Sequence, residues 1–176
     1  MLKKSLVWFI ALIITVFFTG TGSAEELTPQ LCKKKVFAAA KLLEAEGDAA
    51  LAKIKDPNGE FRFGNGKGYI WVHNLDGIML MHPTKPSLDG KALLDMRDVN
   101  GVYLFAAMNE IVEDHGSGWV AYFWPKPGEE KSSPKVSFCK LVKHGDEDYV
   151  VGAGMYDITA EDIKKLFPND AIYEGD

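Results

Sequence analysis

The sequence predicts an α+β domain in which helices pack against an antiparallel sheet, and three observations lead to this class. A long stretch with helical periodicity occupies residues 28–54. Two short strands joined by an Asp-Gly turn occupy residues 69–82. Three further strands, separated by short polar loops, occupy residues 118–155. Strands that follow one another through short loops pair as antiparallel neighbours, and helices before and between them must cover the sheet.

The chain begins with the composition of a secretory signal peptide. Two lysines precede an apolar run over residues 6–18, and small residues follow as far as Ala24. We expect cleavage after Ala24, which leaves residues 25–176 as one domain in the periplasm or outside the cell. The run is shorter than the roughly 20 apolar residues of a membrane-spanning helix, although an uncleaved membrane anchor is the alternative.

The mature chain is acidic. Removal of the signal peptide takes away two lysines and no acidic residue, so the formal charge changes from -5 to -7. An acidic chain without basic clusters is a poor partner for nucleic acid or for an anionic membrane surface. We therefore expect no nucleic-acid partner.

The first helix is predicted to run from Thr28 to about Ile54. The Thr28 hydroxyl can cap the first turn, and Pro29 is tolerated there because its missing N–H would have no partner. Residues 56–59 read Asp-Pro-Asn-Gly, a strong turn signal that ends the helix. Gly47 is a weak point within it, since glycine loses more backbone freedom than other residues.

A hairpin and a long loop are predicted next. Strands over residues 69–74 and 78–82 flank the Asp-Gly turn. Residues 83–102 carry Gly, Pro and Asp and are expected to form a long ordered loop with short helical turns. Loops of this length are usually either functional or disordered. Helical spacing of apolar residues predicts a second helix over residues 102–113, ended by Gly116.

The second half of the chain is predicted to be a meander followed by a short helix. Its strands cover residues 118–124, 135–142 and 148–155. The loops between them are polar and rich in turn formers, as hairpin loops are. Thr159 and Asp162 have the spacing of a capping box and predict a C-terminal helix.

The two cysteines are predicted to form a disulfide. Cys32 shares a helical face with Val36 and so points toward the core. Cys139 shares one face of its strand with Ser137 and Leu141. If the helix lies across that face, the two thiols can pair, and an oxidising compartment permits it. Two buried free thiols are the alternative, and the lack of a Cys-x-x-Cys motif argues against a redox role.

Strand alternation predicts a pocket. Trp71 and His73 share one face of the first hairpin strand, and Tyr122 and Trp124 share one face of the first meander strand. An aromatic face with polar tips can hold a ligand, and the two faces together would form an aromatic box. The candidate ligand-binding residues are Trp71, His73, His82, Tyr103, Tyr122, Trp124 and Lys126, with Lys85 as a further cation. Under the alternative interpretation, the aromatic rings fill the core and the lysines are solvated.

Several motifs in this order resemble the single Cache family, the PAS-like extracytoplasmic sensor domains of bacterial chemoreceptors and sensor kinases. The motifs are Asn74-Leu75-Asp76-Gly77, His82-Pro83, Gly90-Lys91 with Leu94-Asp95, Asp98-Val99-Asn100-Gly101, the run from Gly116 to Pro125, and Gly152-Ala153-Gly154-Met155-Tyr156. The resemblance implies an antiparallel sheet of about five strands with a long N-terminal helix on one face. On the other face, a loop and helix close a pocket for small organic acids, amino acids or related metabolites.

The chain also departs from a receptor of this family. A receptor would continue after Tyr156 with a transmembrane helix and signalling modules, so we expect a freestanding secreted form that acts through a membrane sensor or receptor partner. The resemblance also suggests a homodimer through the first helix. Phe138 and Cys139 stand where a tyrosine and an apolar residue are expected, which removes one pocket hydroxyl.

Other chemistries find little support. The four histidines have no metal-site spacing, and the glycine-rich residues 63–68 open a strand and not a phosphate-binding helix. We expect no catalytic residues, no metal and no cofactor. The leading hypothesis is a secreted, non-enzymatic domain that binds a small carboxylate or amino-acid-like metabolite. The alternative is an interaction module with a filled pocket that docks to a membrane sensor, and an enzyme is third.

Overall fold

The computed structural model describes residues 25–174. The predicted signal peptide and its cleavage site lie outside the described residues. The helices are α1 (Pro29–Glu46), α2 (Ala49–Lys55), α3 (Leu104–His115) and α4 (Ala160–Leu166). The strands are β1 (Arg62–Phe63), β2 (Gly68–Tyr69), β3 (Trp71–His73), β4 (Met79–Met81), β5 (Ser117–Pro125), β6 (Ser132–His144), β7 (Glu147–Tyr156) and β8 (Ile172–Tyr173). Within residues 25–174, none of the helices is long and apolar enough to cross a membrane.

The predicted α+β class is confirmed. The main sheet has six strands in the order β4-β3-β7-β6-β5-β8, and β1 pairs with β2 separately. Five of the six strands pair antiparallel, as expected for a hairpin followed by a meander. The sequence did not predict β8, a two-residue strand that runs parallel to β5 at the edge of the sheet.

The predicted first helix is two helices. The Thr28 hydroxyl accepts a hydrogen bond from the Leu31 N–H at 3.1 Å, so the helix begins as expected. It ends at Gly47, whose φ of 57° lies in the left-handed region. A side chain at Gly47 would also meet the His144 imidazole at 2.6 Å. The chain therefore turns at the glycine, and α2 follows as a separate short helix.

The sheet separates two apolar clusters. Helix α1 covers one face, where Ile70 and Val72 are buried with Phe138. Helix α3 covers the other face, where Trp71 and Tyr122 are buried. The predicted alternation of side chains along β3 and β5 is thus confirmed. Each fully buried Val, Ile or Phe contributes roughly 1.5–3 kcal/mol relative to exposure, so both faces contribute to stability.

The predicted disulfide is wrong. Cys32 and Cys139 are both free and buried, and they belong to different clusters: Cys32 lies between α1 and the sheet, and Cys139 lies on the α3 side. The error came from the choice of face, because α1 covers the side of β6 that carries Val136 and Phe138. Burial raises the pKa of each thiol to about 12, which keeps both protonated.

The segment between β4 and α3 is an ordered lid with a short 3₁₀ turn at Pro86–Leu88. The Asp98 carboxylate accepts hydrogen bonds from the N–H groups of Asn100 at 2.8 Å and Val102 at 3.0 Å. Its other oxygen accepts from the Phe123 N–H of β5 at 2.8 Å. These bonds fasten the start of α3 to the edge of the sheet, and α3 thereby forms the roof over the aromatic face.

The C-terminal segment folds back on the sheet. Thr159 and Asp162 form the predicted capping box at the start of α4. Beyond α4, the Asp170 carboxylate accepts from Lys33 Nζ at 2.6 Å and from the Trp119 indole N–H at 2.9 Å. This pair of contacts ties the segment to both α1 and β5.

Candidate ligand-binding site

A lysine ammonium lies at the centre of the aromatic face. Lys135 of β6 is 2% exposed, and its Nζ donates a hydrogen bond to the Tyr69 hydroxyl at 2.9 Å. The same nitrogen lies 4.8 Å from the ring centre of Tyr69, 5.0 Å from that of Trp71, 5.9 Å from that of Tyr122 and 4.9 Å from that of Tyr156. Aromatic faces attract a cation, so these four rings form a cage around the ammonium.

No carboxylate neutralises this ammonium among residues 25–174. The nine ion pairs in that part of the chain all involve other lysines. Burial lowers the pKa of Lys135, while Tyr122, Tyr69 and Tyr156 raise it, and the net direction is upward. The upward direction keeps Lys135 charged at neutral pH, beside the Tyr69 hydroxyl, whose pKa it lowers, and without a carboxylate partner in the described residues. A buried cation without an anion is costly and is the strongest sign of a site in this fold.

A small cavity adjoins the cage. Its volume is about 10 Å³, close to the minimum that holds one water molecule. Its walls come from the sheet, the start of the lid and α3. The lining residues are Trp71, His82, Leu104, Phe105, Met108, Tyr122, Trp124 and Lys135.

His82 contributes a neutral imidazole to this cavity. Its Nδ1 accepts a hydrogen bond from the Lys85 backbone N–H at 3.0 Å, so in the neutral ring the proton is on Nε2. Burial, together with the charges of Lys135 and Lys85, lowers the pKa of His82 to about 3. The imidazole is thus an uncharged hydrogen-bond donor at neutral pH.

The tyrosines around Lys135 differ in their protonation. Burial raises the pKa of Tyr122 to about 12, and its hydroxyl shares a hydrogen bond with Ser137 Oγ at 2.8 Å. Burial also raises the pKa of Tyr69, but the charge and hydrogen bond of Lys135 outweigh it, and the net direction is downward. Tyr69 is therefore the phenol that interacts most strongly with the ammonium.

His73 lies outside the cavity. The Asn109 side chain donates from Nδ2 to the Leu75 carbonyl at 2.7 Å, which leaves its Oδ1 to accept from His73 Nε2 at 3.0 Å. The His73 ring meets Phe105 edge-on at 5.2 Å, and Phe105, unlike His73, lines the cavity. Burial lowers the pKa of His73 to about 4. In this structure His73 fastens α3 to the hairpin.

Three further predicted residues, Tyr103, Lys126 and Lys85, lie at the protein surface or at the edge of the lid. Tyr103 is 40% exposed and stacks with the Arg97 guanidinium at 4.1 Å from its ring centre. Lys126 pairs with Asp157 at 2.6 Å. Lys85 Nζ lies 4.4 Å from the ring centre of Trp124, at the edge of the lid. The structure thus brings four of the seven predicted residues together around the cavity: Trp71, His82, Tyr122 and Trp124.

The sequence interpretation missed Lys135. A signal was available, because Lys135 alternates with Ser137 and Cys139 and so lies on the same face of β6. The predicted strand began at Lys135, which placed it at a solvated strand end. The observed strand begins at Ser132, and Lys135 pairs with Tyr122 inside the sheet.

A larger pocket lies outside the cage, and Tyr156 both lines this pocket and contacts Lys135. This outer pocket has a volume of about 560 Å³ and is open to solvent. Residues 64–67 and the Lys126–Asp157 pair line it, so Lys126 already has an acidic neighbour. Within residues 25–174, Lys135 is the buried lysine without an acidic partner, which makes the cage the candidate site.

Solved sensor domains have the same fold. A Cache chemosensory domain described as the structural basis for carboxylic acid recognition is 29% identical, with a TM-score of 0.64; the alignment covers 73% of this chain and 92% of that domain. A periplasmic sensor domain of a chemotaxis protein is 35% identical, with a TM-score of 0.60 and coverage of 73% and 96%.

Chemoreceptors match in sequence. The methyl-accepting chemotaxis protein McpP of Pseudomonas putida is 35% identical over 100 residues, which are 56% of this chain and 18% of McpP. The methyl-accepting chemotaxis protein CtpM of Pseudomonas aeruginosa is 34% identical over 114 residues, which are 63% of this chain and 18% of CtpM. The match thus spans about a fifth of the length of each receptor.

A family model described as a Cache domain matches residues 32–172, which contain the whole main sheet except the last residue of β8. The matched region includes the lid, α3 and Lys135. It agrees with the motifs in the sequence and with the fold of the solved sensor domains. The chain belongs to the Cache domain family.

Proposed function

We propose that this protein is an extracytoplasmic sensor domain that binds a small carboxylate, with Lys135 as the main counter-ion. The observation that carries the proposal is the buried Lys135 ammonium, held by four rings and paired with no carboxylate in residues 25–174. A ligand carboxylate would supply the missing charge through a charge-assisted hydrogen bond. The likeness to a Cache domain that recognises carboxylic acids supports the same class of ligand.

The lining favours a simple monocarboxylate over an amino acid. None of the eight lining residues carries an acidic side chain, and Leu104, Phe105 and Met108 offer an apolar wall for a short tail. The α-ammonium group of an amino acid would lie near Lys135 without an acceptor of its own, and like charges at such distances repel. Of the two ligand classes expected from the sequence, we therefore propose the carboxylate.

Binding requires the site to open. A cavity of about 10 Å³ holds one water, whereas even a two-carbon acid has four heavy atoms. The mobile wall is the lid side, because α3 and His82 meet the sheet through side chains, while the floor is fixed by strand pairing. We propose that the described structure is a closed form and that α3 moves outward on binding.

The small cavity also favours a second candidate, an interaction module with a filled pocket that docks to a membrane sensor. In that case the aromatic cage would serve as packing, and no small acid would bind. The buried charge of Lys135 argues against it, since a well-packed apolar residue would fill the same space without the cost of desolvation.

We further propose that ligand binding occurs in the periplasm or outside the cell, without catalysis, and that a membrane sensor partner reads the bound state. In two chemoreceptors and a sensor histidine kinase from Rhizobium johnstonii, the matched segment is 18–19% of the protein. In these relatives, most of the protein lies outside the matched segment, so ligand binding and signal output can belong to separate domains. A homodimer through α1 stays a prediction; Phe37 of that helix is 45% exposed.

Calorimetric titration with propionate and L-alanine tests the proposal, because the two differ mainly by an α-ammonium group. We expect propionate to bind and L-alanine not to bind. Lys135→Met should abolish propionate binding, whereas Lys140→Met, on the α1 side of the same strand, should leave it unchanged. Thermal stabilisation provides a second reading, since a ligand at 100 times its Kd adds about 2.7 kcal/mol. Equal binding by the Lys135→Met variant would overturn the assignment.

A further inference from the structure

One hydrogen-bond donor in the cavity wall has no partner. The indole Nε1 of Trp71 is buried and finds no acceptor among residues 25–174. Trp71 is 2% exposed and lines the same cavity as Lys135. Leaving a buried donor unpaired costs about 1–3 kcal/mol, so such atoms are few in folded proteins and call for an explanation.

The surroundings of Trp71 show why the protein supplies no acceptor. Its cross-strand partner on β7 is Gly152. A Cβ at that position would lie 2.3 Å from the Trp71 ring, so glycine is required for the ring to lie against β7. A glycine offers no side chain that could reach the indole nitrogen. By contrast, the indole N–H of Trp119 on the other face donates to Asp170 at 2.9 Å.

Two other polar atoms of the site have partners. The Tyr122 hydroxyl is bonded to Ser137, and His82 Nδ1 is bonded to the Lys85 backbone. The second unpaired atom is His73 Nδ1, an acceptor that does not line the cavity. Among the fully buried side-chain atoms that line the cavity, Trp71 Nε1 is therefore the donor without a partner, and it lies in the same wall as the Lys135 ammonium.

We infer that the Trp71 indole N–H is a second anchor for the ligand and donates to one carboxylate oxygen while Lys135 Nζ binds the carboxylate charge. This inference rests on the proposed function and assigns a specificity-determining role to Trp71. A carboxylate has two oxygens and accepts several hydrogen bonds, so it can use both donors. Two donors fix its orientation and direct the tail toward Leu104 and Met108, which line the same cavity.

The N–H group can be tested apart from the size of the ring. Replacement of Trp71 by 3-benzothienylalanine, through amber suppression, keeps the bicyclic shape and removes the donor. We expect this protein to bind propionate about 10- to 100-fold more weakly, the effect of one hydrogen bond to a charged group. Trp71→Phe should weaken binding at least as much, since it also loses ring contacts.

Proton-nitrogen NMR of indole-labelled protein provides a direct readout. Trp71→Phe identifies the Trp71 indole resonance by its loss. Saturating propionate should move that resonance downfield, whereas the Trp119 resonance, held by Asp170, should stay in place. A stationary Trp71 resonance and full affinity of the benzothienyl protein, with binding still dependent on Lys135, would overturn the role of Trp71 and leave the proposed function intact. Failure of the unmodified protein to bind propionate would overturn both.

Discussion

Replacement of Lys135 by methionine should raise the stability of the unliganded protein. Methionine has a similar length and makes favourable contacts with aromatic rings, so it can occupy the cage without a large change in volume. Burying the ammonium costs several kcal/mol. The hydrogen bond to Tyr69 returns about 1.5–3 kcal/mol and the four rings about 2 kcal/mol. These returns offset much of the cost, and since replacing buried ionic groups with apolar side chains of similar volume often stabilises a protein by about 1–4 kcal/mol, we expect a gain of about 2 kcal/mol.

A gain of about 2 kcal/mol in the free energy of unfolding corresponds to a rise in Tm of about 4–8 °C for a domain of this size. Thermal unfolding at pH 7, followed by circular dichroism, measures it, with Lys140→Met as the control from the opposite face of β6. The control should differ from the unmodified protein by at most about 0.5 kcal/mol. A fall in Tm for Lys135→Met would refute the reasoning, because it would show that the ammonium is stabilised by the fold alone and needs no ligand.

Three further results are expected. The pKa of His73 is about 4 in the fold against 6.5 in the unfolded chain, so the contribution of neutral His73 to stability is complete above pH 6.5 and is lost as the pH falls toward 4. Urea unfolding at pH 5 should show a loss of about 2 kcal/mol that is absent in His73→Gln. Equal losses in both proteins would contradict the assignment of this pH dependence to His73. Tyr156→Phe keeps the ring over Lys135 but removes the hydrogen bond to the Pro125 carbonyl at 2.9 Å; because we propose that the site opens on the α3 side, stopped-flow measurements should show little change in the association and dissociation rates of propionate, and faster rates would indicate entry past Tyr156 instead. A reducing agent should leave Tm unchanged, and a thiol reagent should modify Cys32 and Cys139 only after unfolding, because both are buried and free; a lower Tm under reducing conditions would restore the disulfide.

Local patterns predicted the elements of this fold well. Caps, turns and period-two alternation gave the hairpin, the meander and the two aromatic strand faces, because these features depend on near neighbours in sequence. The break of the first helix at Gly47 depends on the approach of His144, about a hundred residues away. The edge strand β8 has two residues and exists only because β5 offers an unpaired edge.

Predictions were less successful where they depended on which helix covers a face of the sheet or on how deeply a side chain is buried. Cys139 was placed on the correct side of its strand, but the helix that covers that side is α3 and not α1. His73 is on the aromatic face as expected, yet Phe105 of α3, which it contacts, lines the cavity and His73 does not. Lys135 was overlooked because lysine is usually solvated, and only the tertiary structure shows that four rings enclose it.

A crystal structure of the protein grown with propionate tests the central claim most directly. We predict a carboxylate oxygen within hydrogen-bond distance of Lys135 Nζ, an acid tail against Leu104 and Met108, and α3 displaced outward from the sheet. Propionate found only in the outer pocket beside Lys126, with the cage closed around Lys135, would contradict the claim.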